Sequence, residues 1–323
     1  MIIEFVSILF GVLIILLLSQ IIINNAIKLA DHFGLSHSFI GLTVLSIGTS
    51  IPEIVTHVIG SINILSNPSS IDTLSGLLIG TNIGSDIFQQ NFILPVVGII
   101  GTIVVIKKNL ISEVGGLIAA AMLVLIFSIG GYISRTEGFI LLLAYFAYLL
   151  YLKLRGIKEK FNSKNHLKKN QVIISIILVI LAFIIVSFVA DFVLNQSEKL
   201  VQLLPLSASF FGIIILGVAT ALPELMTSLV AIIKKKSDIS AGILIGSNIT
   251  NPLFGIGLGA LISGYTVPNV VIYYDLPFKI VTAVLIFIFL MSGRKLKLWE
   301  SILLIISFLA YLFVRSIYFP VDF

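Results

Sequence analysis

Apolar runs long enough to cross a lipid bilayer recur along the whole chain. A transmembrane α-helix needs roughly 17–25 predominantly apolar residues, and about ten such runs can be counted. They lie near residues 2–25, 36–62, 73–100, 111–131, 136–155, 172–195, 206–233, 239–264, 270–291 and 298–318. Only 11% of the residues are charged, whereas a soluble domain carries about a quarter. The sequence therefore predicts an all-α polytopic membrane protein with about ten transmembrane helices.

The distribution of Lys and Arg predicts how the chain is oriented in the membrane. Cytoplasmic loops carry an excess of these residues, and an exterior N-terminus would place most of them inside. The interior loops would then hold Lys28, Lys107, Lys108, seven basic residues of the segment 153–171, Lys234, Lys235, Lys236, Arg294, Lys295 and Lys297. The exterior loops would hold Arg135, Lys199 and Arg315. We therefore expect a multi-pass protein of the cell membrane with both termini outside.

The only substantial polar segment, residues 153–171, divides the chain into two halves, with residues 156–171 as the linker between them. It is basic and predicted to be cytoplasmic, and this placement of charge explains the formal net charge of +5 without a nucleic-acid partner. The first half, 1–155, and the second half, 172–323, contain five predicted spans each. An odd number of spans per half means that the second half enters the membrane in the opposite sense. We expect a single chain in the lipid bilayer to be the functional unit, a monomer.

The two halves also repeat each other in sequence. GLTVLSIGTSIPEIVT (41–56) aligns with GIIILGVATALPELMT (212–227), and LLIGTNIGSDIF (77–88) aligns with GILIGSNITNPLF (242–254). The chain is thus predicted to form two inverted five-helix repeats. This architecture is typical of secondary transporters, which bind their substrates near the bilayer midplane where the repeats meet.

A proline followed by a glutamate lies inside an apolar span of each half, at Pro52-Glu53 and at Pro223-Glu224. A charged side chain near the bilayer centre costs roughly 2.5–3.5 kcal/mol on insertion scales, so glutamates at two equivalent positions point to function. The simpler alternative is that each proline only kinks a packed helix and each glutamate pairs with a lysine. Lys279 is the only clear basic residue within a span, so pairing cannot account for both glutamates.

Oxygen atoms suited to a hard cation are expected around these glutamates. Proline removes a backbone donor, which would free carbonyl groups near Ser46–Thr49 and near Gly217–Thr220. Thr49 and Thr220 each precede a glutamate by four residues and share its helical face. Two carboxylates, two hydroxyls and freed carbonyls form an all-oxygen site of the kind that Ca²⁺ prefers.

A second pair of polar segments lies on the third and eighth spans. Ser85 and Gln89 in the first half, and Ser247 and Asn251 in the second, are expected to line the same site. The alternative is that these small and amide side chains only join neighbouring helices. The glycines between them allow close approach of helices in either case.

The segments GTSIPE with GSDIFQ, and ATALPE with GSNITN, resemble the two α-repeats of the calcium/cation antiporter superfamily, particularly the prokaryotic members of its sodium/calcium exchanger branch. The resemblance implies exchange of Ca²⁺ for Na⁺ by alternating access, with both ions bound as substrates and no cofactor. It implies a Ca²⁺ site formed by Thr49, Glu53, Thr220 and Glu224. It implies Na⁺ sites that add Ser50, Ser85 and Ser247, together with the backbone carbonyls of Ser46 and Gly217.

The sequence departs from this family pattern at several positions. Ala221 stands where a serine is usual, so a hydroxyl that would face Na⁺ is missing, and Gln89 and Asn251 stand where Asn and Asp are usual. Asp86 and His57 add two ionisable groups near the site. They leave a proton-coupled exchanger, or one that accepts K⁺ or Li⁺, as the alternative to Na⁺ coupling. The simpler interpretation is that Asp86 caps a helix and that His57 is a hydrogen-bonded residue at the membrane interface.

An enzymatic function is not expected. Tyr274-Asp275 resembles half of an intramembrane aspartyl protease dyad, but the second, glycine-flanked aspartate that such enzymes require is missing. A channel is disfavoured because carboxylates in a closely packed, glycine-rich core suit stoichiometric ion binding. The sequence therefore predicts a transporter.

Overall fold

The computed structural model describes residues 2–32, 45–101, 107–156, 167–204, 206–233, 237–293 and 295–322 of the chain. Its first half contains helices α1 (Ile2–His32), α2 (Ser46–Thr49), α3 (Ile51–Ser66), α4 (Ile71–Phe88), α5 (Leu94–Ile100), α6 (Lys107–Ser128) and α7 (Arg135–Gly156). A 3₁₀ turn (Pro68–Ser70) precedes α4, and a π-helical turn (Gln89–Ile93) joins α4 to α5.

The second half contains helices α8 (Lys169–Leu203), α9 (Ala208–Phe211), α10 (Gly217–Thr220), α11 (Leu222–Ile233), α12 (Ser237–Thr250), α13 (Gly257–Ser263), α14 (Leu276–Gly293) and α15 (Leu298–Tyr318). Three π-helical turns connect or extend them, namely Gly212–Leu216, Asn251–Ile256 and Val271–Asp275. Two short strands, β1 (Tyr132–Ile133) and β2 (Tyr265–Thr266), form an antiparallel pair with Tyr132 opposite Thr266.

Nine stretches within the described parts of the chain are helical, apolar and long enough to cross a membrane. The tenth predicted span corresponds to α3, a shorter apolar helix that follows α2. The beginning of that span, residues 36–44, lies outside the described residues. The predicted all-α polytopic architecture is confirmed.

Parts of the predicted interior loops also lie outside the described residues. They are residues 157–166 of the central linker, the lysine run 234–236, and Arg294. The division of the chain at 156–171 therefore stays a prediction.

The two halves carry equivalent irregularities in their helices. The third and eighth spans each contain a π-helical turn just after their Gly-Ser segments, at Gln89–Ile93 and Asn251–Ile256. Single π-helical turns inside α-helices are rare and occur frequently at functional sites. Their equivalent placement reproduces the predicted internal repeat in the fold.

The third and eighth spans form the centre of the molecule. In an 18-residue apolar window of each span, 72% of the residues are buried in the span at 68–100 and 89% in the span at 239–263, against only 17% in the span at 169–203. Helices α1 and α8 pack along each other, and a Cβ atom added at Gly11 would lie 2.4 Å from the side chain of Val193. The polar centre is thus enclosed, while α1 and α8 form a separate pair at its edge.

The two repeats are in close backbone contact at several glycines. A Cβ atom at Gly84 of α4 would lie 2.4 Å from the carbonyl oxygen of Ile213. A Cβ atom at Gly217 of α10 would lie 2.7 Å from the backbone nitrogen of Ser85. Small residues let helix backbones approach this closely. The contact brings the second half of the polar centre directly against α4.

The distribution of basic residues predicted that Arg315 lies in an exterior loop, and this prediction is wrong. Arg315 lies in the last turn of α15 with no exposed surface, and its Nε is 3.2 Å from Oδ1 of Asp275. Its Nη2 donates to Ser209 Oγ at 2.7 Å, and Tyr311 donates to Asp275 at 2.7 Å. Loop charge counting missed this ion pair because its carboxylate comes from another helix.

Candidate cation-binding site

Both repeats break a helix at the residue before the Leu/Ile-Pro-Glu sequence. Ser50 separates α2 from α3 with φ −80° and ψ 4°, and Ala221 separates α10 from α11 with φ −80° and ψ −1°. Pro52 and Pro223 follow in the first turns of α3 and α11, where a proline is tolerated because its missing donor has no intrahelical partner. The prolines thus mark the break, and each glutamate lies in the first turn of a new helix.

The carbonyls of Ser46 and Gly217 are already hydrogen-bonded in this conformation. The Ser46 carbonyl accepts from the amide of Ser50 at 3.1 Å and from the hydroxyl of Thr49 at 3.2 Å. The Gly217 carbonyl accepts from the amide of Ala221 at 3.2 Å and from the hydroxyl of its own repeat's threonine at 3.3 Å. These two carbonyls therefore keep their ordinary helical donors, the amides four residues later. The prolines remove the donors of the carbonyls four residues before them, which are those of Gly48 and Ala219.

Glu53 and Glu224 meet across the two repeats, and neither has exposed surface. The two carboxylates interact electrostatically. The hydroxyl of Thr220 lies beside Glu53, and that of Thr49 lies beside Glu224. The four residues that the resemblance assigns to Ca²⁺ are thus brought together, with each carboxylate facing the threonine of the other repeat.

A chain of side-chain hydrogen bonds extends from Glu53 to the eighth span. Ser85 donates to Glu53 Oε1 at 2.9 Å, and Gln89 Nε2 donates to Ser85 at 3.1 Å. The Gln89 carbonyl oxygen in turn accepts from Ser247 at 2.5 Å and from Asn248 at 3.1 Å. Ser85, Gln89 and Ser247 therefore lie together, and the amide of Gln89 bridges the repeats.

Asp86 forms a buried ion pair with Lys279 of α14. Its other oxygen accepts from Asn251 Nδ2 at 2.9 Å. The interpretation of Asp86 as a helix cap is wrong, because α4 continues past it into the π-helical turn. Lys279 pairs with neither glutamate. A lone lysine and an additional aspartate in apolar spans were the signal for this pair, because intramembrane charges usually pair with each other.

His57 is buried with 1% exposure and does not lie at an interface. Its Nδ1 lies 3.0 Å from the hydroxyl of Tyr265, and its Nε2 lies 3.1 Å from Nδ2 of Asn82. The same amide nitrogen donates to the carbonyl of Asn251 at 2.8 Å. His57 is thus hydrogen-bonded as expected, and it reaches the site through Asn82, which sequence reasoning gave no separate role.

Ser46 contacts the site through a residue that the sequence pattern did not single out. Its hydroxyl lies 3.0 Å from that of Thr250, the residue just before Asn251. Neither repeat motif contains a signal for this contact, because it joins residues 204 positions apart.

Several buried oxygens of the site have no hydrogen-bond partner among the residues that the structure describes. They are Glu53 Oε2, both carboxylate oxygens of Glu224, Ser50 Oγ and Asn251 Oδ1. Buried polar atoms are normally hydrogen-bonded, and an unpaired buried charge is strongly unfavourable. Among the described residues, no cluster of three or more His, Cys, Asp or Glu side chains is arranged to hold a metal ion. The site is therefore one of two carboxylates and neutral oxygens, which suits a hard cation.

A family model described as sodium/calcium exchanger protein matches residues 3–154 and 174–317. The chain belongs to this family. The sodium/calcium exchanger family is one of membrane transporters, and this member is a multi-pass membrane protein.

Individual relatives of this family member share its full length or most of it. The sodium/calcium exchanger MaX1 of Methanosarcina acetivorans is 25% identical over 352 aligned positions, which cover 97% of this chain and 98% of MaX1. The uncharacterized membrane protein MJ0091 of Methanocaldococcus jannaschii is 29% identical over 279 aligned positions, covering 85% of this chain and 86% of the relative. The inner membrane protein YrbG of Escherichia coli is 26% identical and covers 78% of each chain.

The fold is also that of a solved family member. The sodium-calcium exchanger NCX_Mj, from a crystal soaked with 10 mM Na⁺ and zero Ca²⁺, superposes with a TM-score of 0.67 at 25% identity. The superposition covers 98% of this chain and 99% of NCX_Mj. Other NCX_Mj structures come from crystals soaked with Sr²⁺ or Ca²⁺.

Proposed function

We propose that the protein is a secondary antiporter that exchanges Ca²⁺ for Na⁺ across the cell membrane. The observation that supports this most directly is the pair of buried carboxylates of Glu53 and Glu224. Three of their four oxygens have no hydrogen-bond partner among the described residues. Two formal negative charges balance one Ca²⁺. The family and the names of the relatives support antiport of a cation against Ca²⁺.

Competition for shared oxygens is the proposed basis of exchange. Ca²⁺ binds between Glu53 and Glu224 with the hydroxyls of Thr49 and Thr220, and Na⁺ ions displace it by binding to overlapping oxygens. Ser50 and Ser85 supply further oxygens for Na⁺. Selectivity for hard cations follows because every group is an oxygen ligand.

Alternating access requires part of the molecule to move around this site. Helices α1 and α8 are suited to that role because they pack along each other and expose most of their surface at the edge of the molecule. The site itself lies in the closely packed centre, where the glycine contacts hold α4 against α10. We propose that the α1–α8 pair slides across this fixed centre.

Proton coupling, the alternative, gains no support from the two ionisable residues that suggested it. Asp86 is held by Lys279 and Asn251, and His57 is held by Tyr265 and Asn82. None of these contacts places either residue on a carboxylate oxygen of Glu53 or Glu224.

The coupling ion can be determined by ⁴⁵Ca²⁺ uptake into proteoliposomes loaded with Na⁺, K⁺ or Li⁺, or carrying only a pH gradient. We expect uptake with Na⁺ inside and background levels in the other three preparations. Uptake driven by the pH gradient alone would contradict Na⁺ coupling. His57→Ala distinguishes the two mechanisms further, because the substitution should be mild for a Na⁺-coupled protein.

Ser85→Ala should raise the Na⁺ concentration needed for half-maximal exchange about tenfold. Ser85 donates to Glu53, and hydrogen bonds to charged groups contribute about 1.5–3 kcal/mol, of which the lower end corresponds to about tenfold. The measurement is ⁴⁵Ca²⁺ uptake as a function of internal Na⁺. Ser187→Ala is the matched control, because this exposed serine donates only to the carbonyl of Phe183 in its own helix. An unchanged Na⁺ dependence in Ser85→Ala would remove Ser85 from the site.

The proposed orientation places β1, β2 and the C-terminal segment on the exterior side. The strand pair joins the α6–α7 connection to the α13–α14 connection, and Asp322 accepts from the backbone amide of Ser209 after α8 at 3.3 Å. These segments follow the fourth, sixth, eighth and tenth spans. Segments that follow even-numbered spans lie on the same side of a membrane, so the contacts are consistent with the orientation predicted from the loop charges.

Labelling of introduced cysteines tests this orientation, since the chain contains no cysteine. In intact cells, an impermeant maleimide should label Gly130→Cys, at the exposed α6–α7 connection, and should not label Lys295→Cys before cell lysis. The reverse labelling pattern would invert the proposed topology.

A further inference from the structure

Asn82 of α4 carries a buried oxygen atom that has no hydrogen-bond partner among the described residues. The residue has no exposed surface, and the unpartnered atom is its Oδ1. Asn82 precedes Ser85 by three residues and Gln89 by seven, so the three side chains share one face of the third span. Ser85 donates to Glu53. The free oxygen of Asn82 therefore belongs to the polar centre that also contains the unpartnered oxygens of Glu53 and Glu224.

Two acceptors fix the orientation of the Asn82 amide. Its Nδ2 donates to the backbone carbonyl of Asn251 at 2.8 Å, and a carbonyl can only accept. The same nitrogen lies 3.1 Å from Nε2 of His57, so that ring nitrogen must be an unprotonated acceptor. A neutral ring then carries its hydrogen on Nδ1, which lies 3.0 Å from the hydroxyl of Tyr265. Because the NH₂ group faces both acceptors, Oδ1 is turned away from them.

Tyr265 reaches His57 from strand β2, which follows α13 at the end of the eighth span. A Cβ atom at Gly259 would overlap the Tyr265 hydroxyl, so a glycine is required there to leave room for the ring. The hydroxyl lies 2.7 Å from Ser61 Oγ, which itself donates to the carbonyl of Gly259 at 3.0 Å. The tyrosine hydrogen is therefore directed to Ser61, and the tyrosine oxygen accepts from His57. Tyr265 thus sets the tautomer of His57, and this tautomer sets the direction of the Asn82 amide.

The two repeats differ in the neutral oxygens that they place near their glutamates. Ser50 of the first repeat aligns with Ala221 of the second, so the second repeat lacks this hydroxyl, and Asn82 aligns with Leu244. The second and seventh spans run in opposite directions in the inverted repeats. Residues that follow Glu53 therefore lie toward the same membrane face as residues that precede the second-repeat glutamate. Asn82, which is bonded to a residue one turn after Glu53, lies toward the face where Ala221 provides no hydroxyl.

We propose that Asn82 Oδ1 is a neutral oxygen ligand for Na⁺ on the side of the glutamate pair where Ala221 lacks a hydroxyl. Amide oxygens are ligands for hard cations, and the Ca²⁺ ligands proposed above are the two glutamates and their threonines. Tyr265 is a positioning residue, because it acts through His57 and does not contact the ion. The inference rests on the proposed Ca²⁺/Na⁺ exchange and adds a ligand to it. An asparagine that only joined helices would be expected to have its buried oxygen paired as well.

Asn82→Ala tests the ligand in proteoliposomes, by ⁴⁵Ca²⁺ uptake at varied Na⁺ and at varied Ca²⁺. We expect the Na⁺ concentration for half-maximal exchange to rise about tenfold, equivalent to about 1.4 kcal/mol, and the KM for Ca²⁺ to change less than about twofold. An unchanged Na⁺ dependence, or an equal loss for both ions, would overturn the assignment of Asn82 and leave the proposed exchange intact. Absence of Na⁺-driven Ca²⁺ uptake by the unmodified protein would overturn both.

The positioning role of Tyr265 predicts a suppression that a structural role does not. Tyr265→Phe keeps the ring but removes the acceptor of the Nδ1 hydrogen, so the hydrogen moves to Nε2 and faces the Asn82 amide. Asn82 then turns its oxygen toward His57, and the half-maximal Na⁺ concentration should rise about tenfold, as in Asn82→Ala. Adding His57→Ala removes the misdirected donor, and the carbonyl of Asn251 again holds the amide. The double variant should therefore return to within about threefold of the unmodified protein.

Tyr274→Phe is the matched control, because this hydroxyl donates to the carbonyl of Tyr311 and to no residue of the polar centre. Its Na⁺ dependence should be unchanged. A Tyr265→Phe/His57→Ala protein that needs more Na⁺ than Tyr265→Phe alone would show a purely structural role and overturn the positioning. If Asn82→Ala does not fold, the suppression experiment decides, since it leaves Asn82 in place.

Discussion

Replacing Glu53 or Glu224 by glutamine should reduce ⁴⁵Ca²⁺ uptake at least about 100-fold. Glutamine keeps the size of the side chain and one oxygen but removes the charge. At an effective dielectric constant of about 20, a unit charge 4 Å away contributes about 4 kcal/mol, and a divalent cation experiences twice that. A 100-fold loss corresponds to only about 2.7 kcal/mol, so it is a lower bound.

The two glutamine variants should have similar effects, because the carboxylates lie at equivalent positions and face each other's threonine. Each variant should also retain its fold, since removing one of two facing buried charges relieves repulsion. Purification as a monodisperse protein with an unchanged or higher unfolding temperature checks this. Glu198→Gln serves as the matched control, since Glu198 is partly exposed on α8. Full uptake by either site variant would remove that glutamate from the ion site.

The glutamate pair could be predicted from the sequence because its signals are local. Pro52 and Pro223 mark two helix breaks, and each glutamate is costly in an apolar span. Their alignment in a repeat of odd span number then places both at one depth of the membrane. The break at Ser50 and the equivalent break at Ala221 follow from the same local pattern.

The partners of the other buried charges could not be predicted in this way. Asp86 and Lys279 are 193 positions apart, and Asp275 and Arg315 are paired through helix packing. Hydropathy places each residue in a span or loop but carries no information on which helices touch. Arg315 was consequently assigned to a loop, and Asp86 to a helix cap.

The state of the backbone carbonyls also lies beyond sequence reasoning. A proline removes the donor of the carbonyl four residues before it, whereas the carbonyls of Ser46 and Gly217 keep their own helical amide donors and also accept from a threonine hydroxyl. The carbonyls that remain without a donor at a helix break depend on whether the amide of the residue at the break still reaches the carbonyl four residues earlier. The φ and ψ angles of that residue determine this.

Gly84→Ala and Gly217→Ala should each lower the unfolding temperature by several degrees and reduce Ca²⁺ uptake at least tenfold. The added Cβ at Gly84 would lie 2.4 Å from the carbonyl oxygen of Ile213, and that at Gly217 would lie 2.7 Å from the amide nitrogen of Ser85. Overpacking of this kind costs typically about 1–3 kcal/mol. Both obstructing atoms belong to the backbone, so relief requires α4 and the 212–220 segment to move apart.

Gly115→Ala is the matched control for these substitutions, because its Cβ would meet nothing within 4 Å. In the interior of α6 it should stabilise the protein, since glycine in a helix is less favourable than alanine by roughly 0.5–1 kcal/mol. The contrast separates the steric contact from helix propensity, which favours alanine in all three variants. Thermal unfolding in detergent measures stability, and proteoliposome uptake measures function.

A stable Gly84→Ala protein with full uptake would show that the two repeats can separate locally without disturbing the site. We expect the opposite. Ser85 follows Gly84 directly and donates to Glu53 at 2.9 Å, so moving α4 away from the 212–220 segment also alters the hydrogen bond that holds Glu53. The close packing at these glycines and the geometry of the ion site are therefore coupled. A substitution that separates the two repeats at Gly84 must also change the geometry around Glu53.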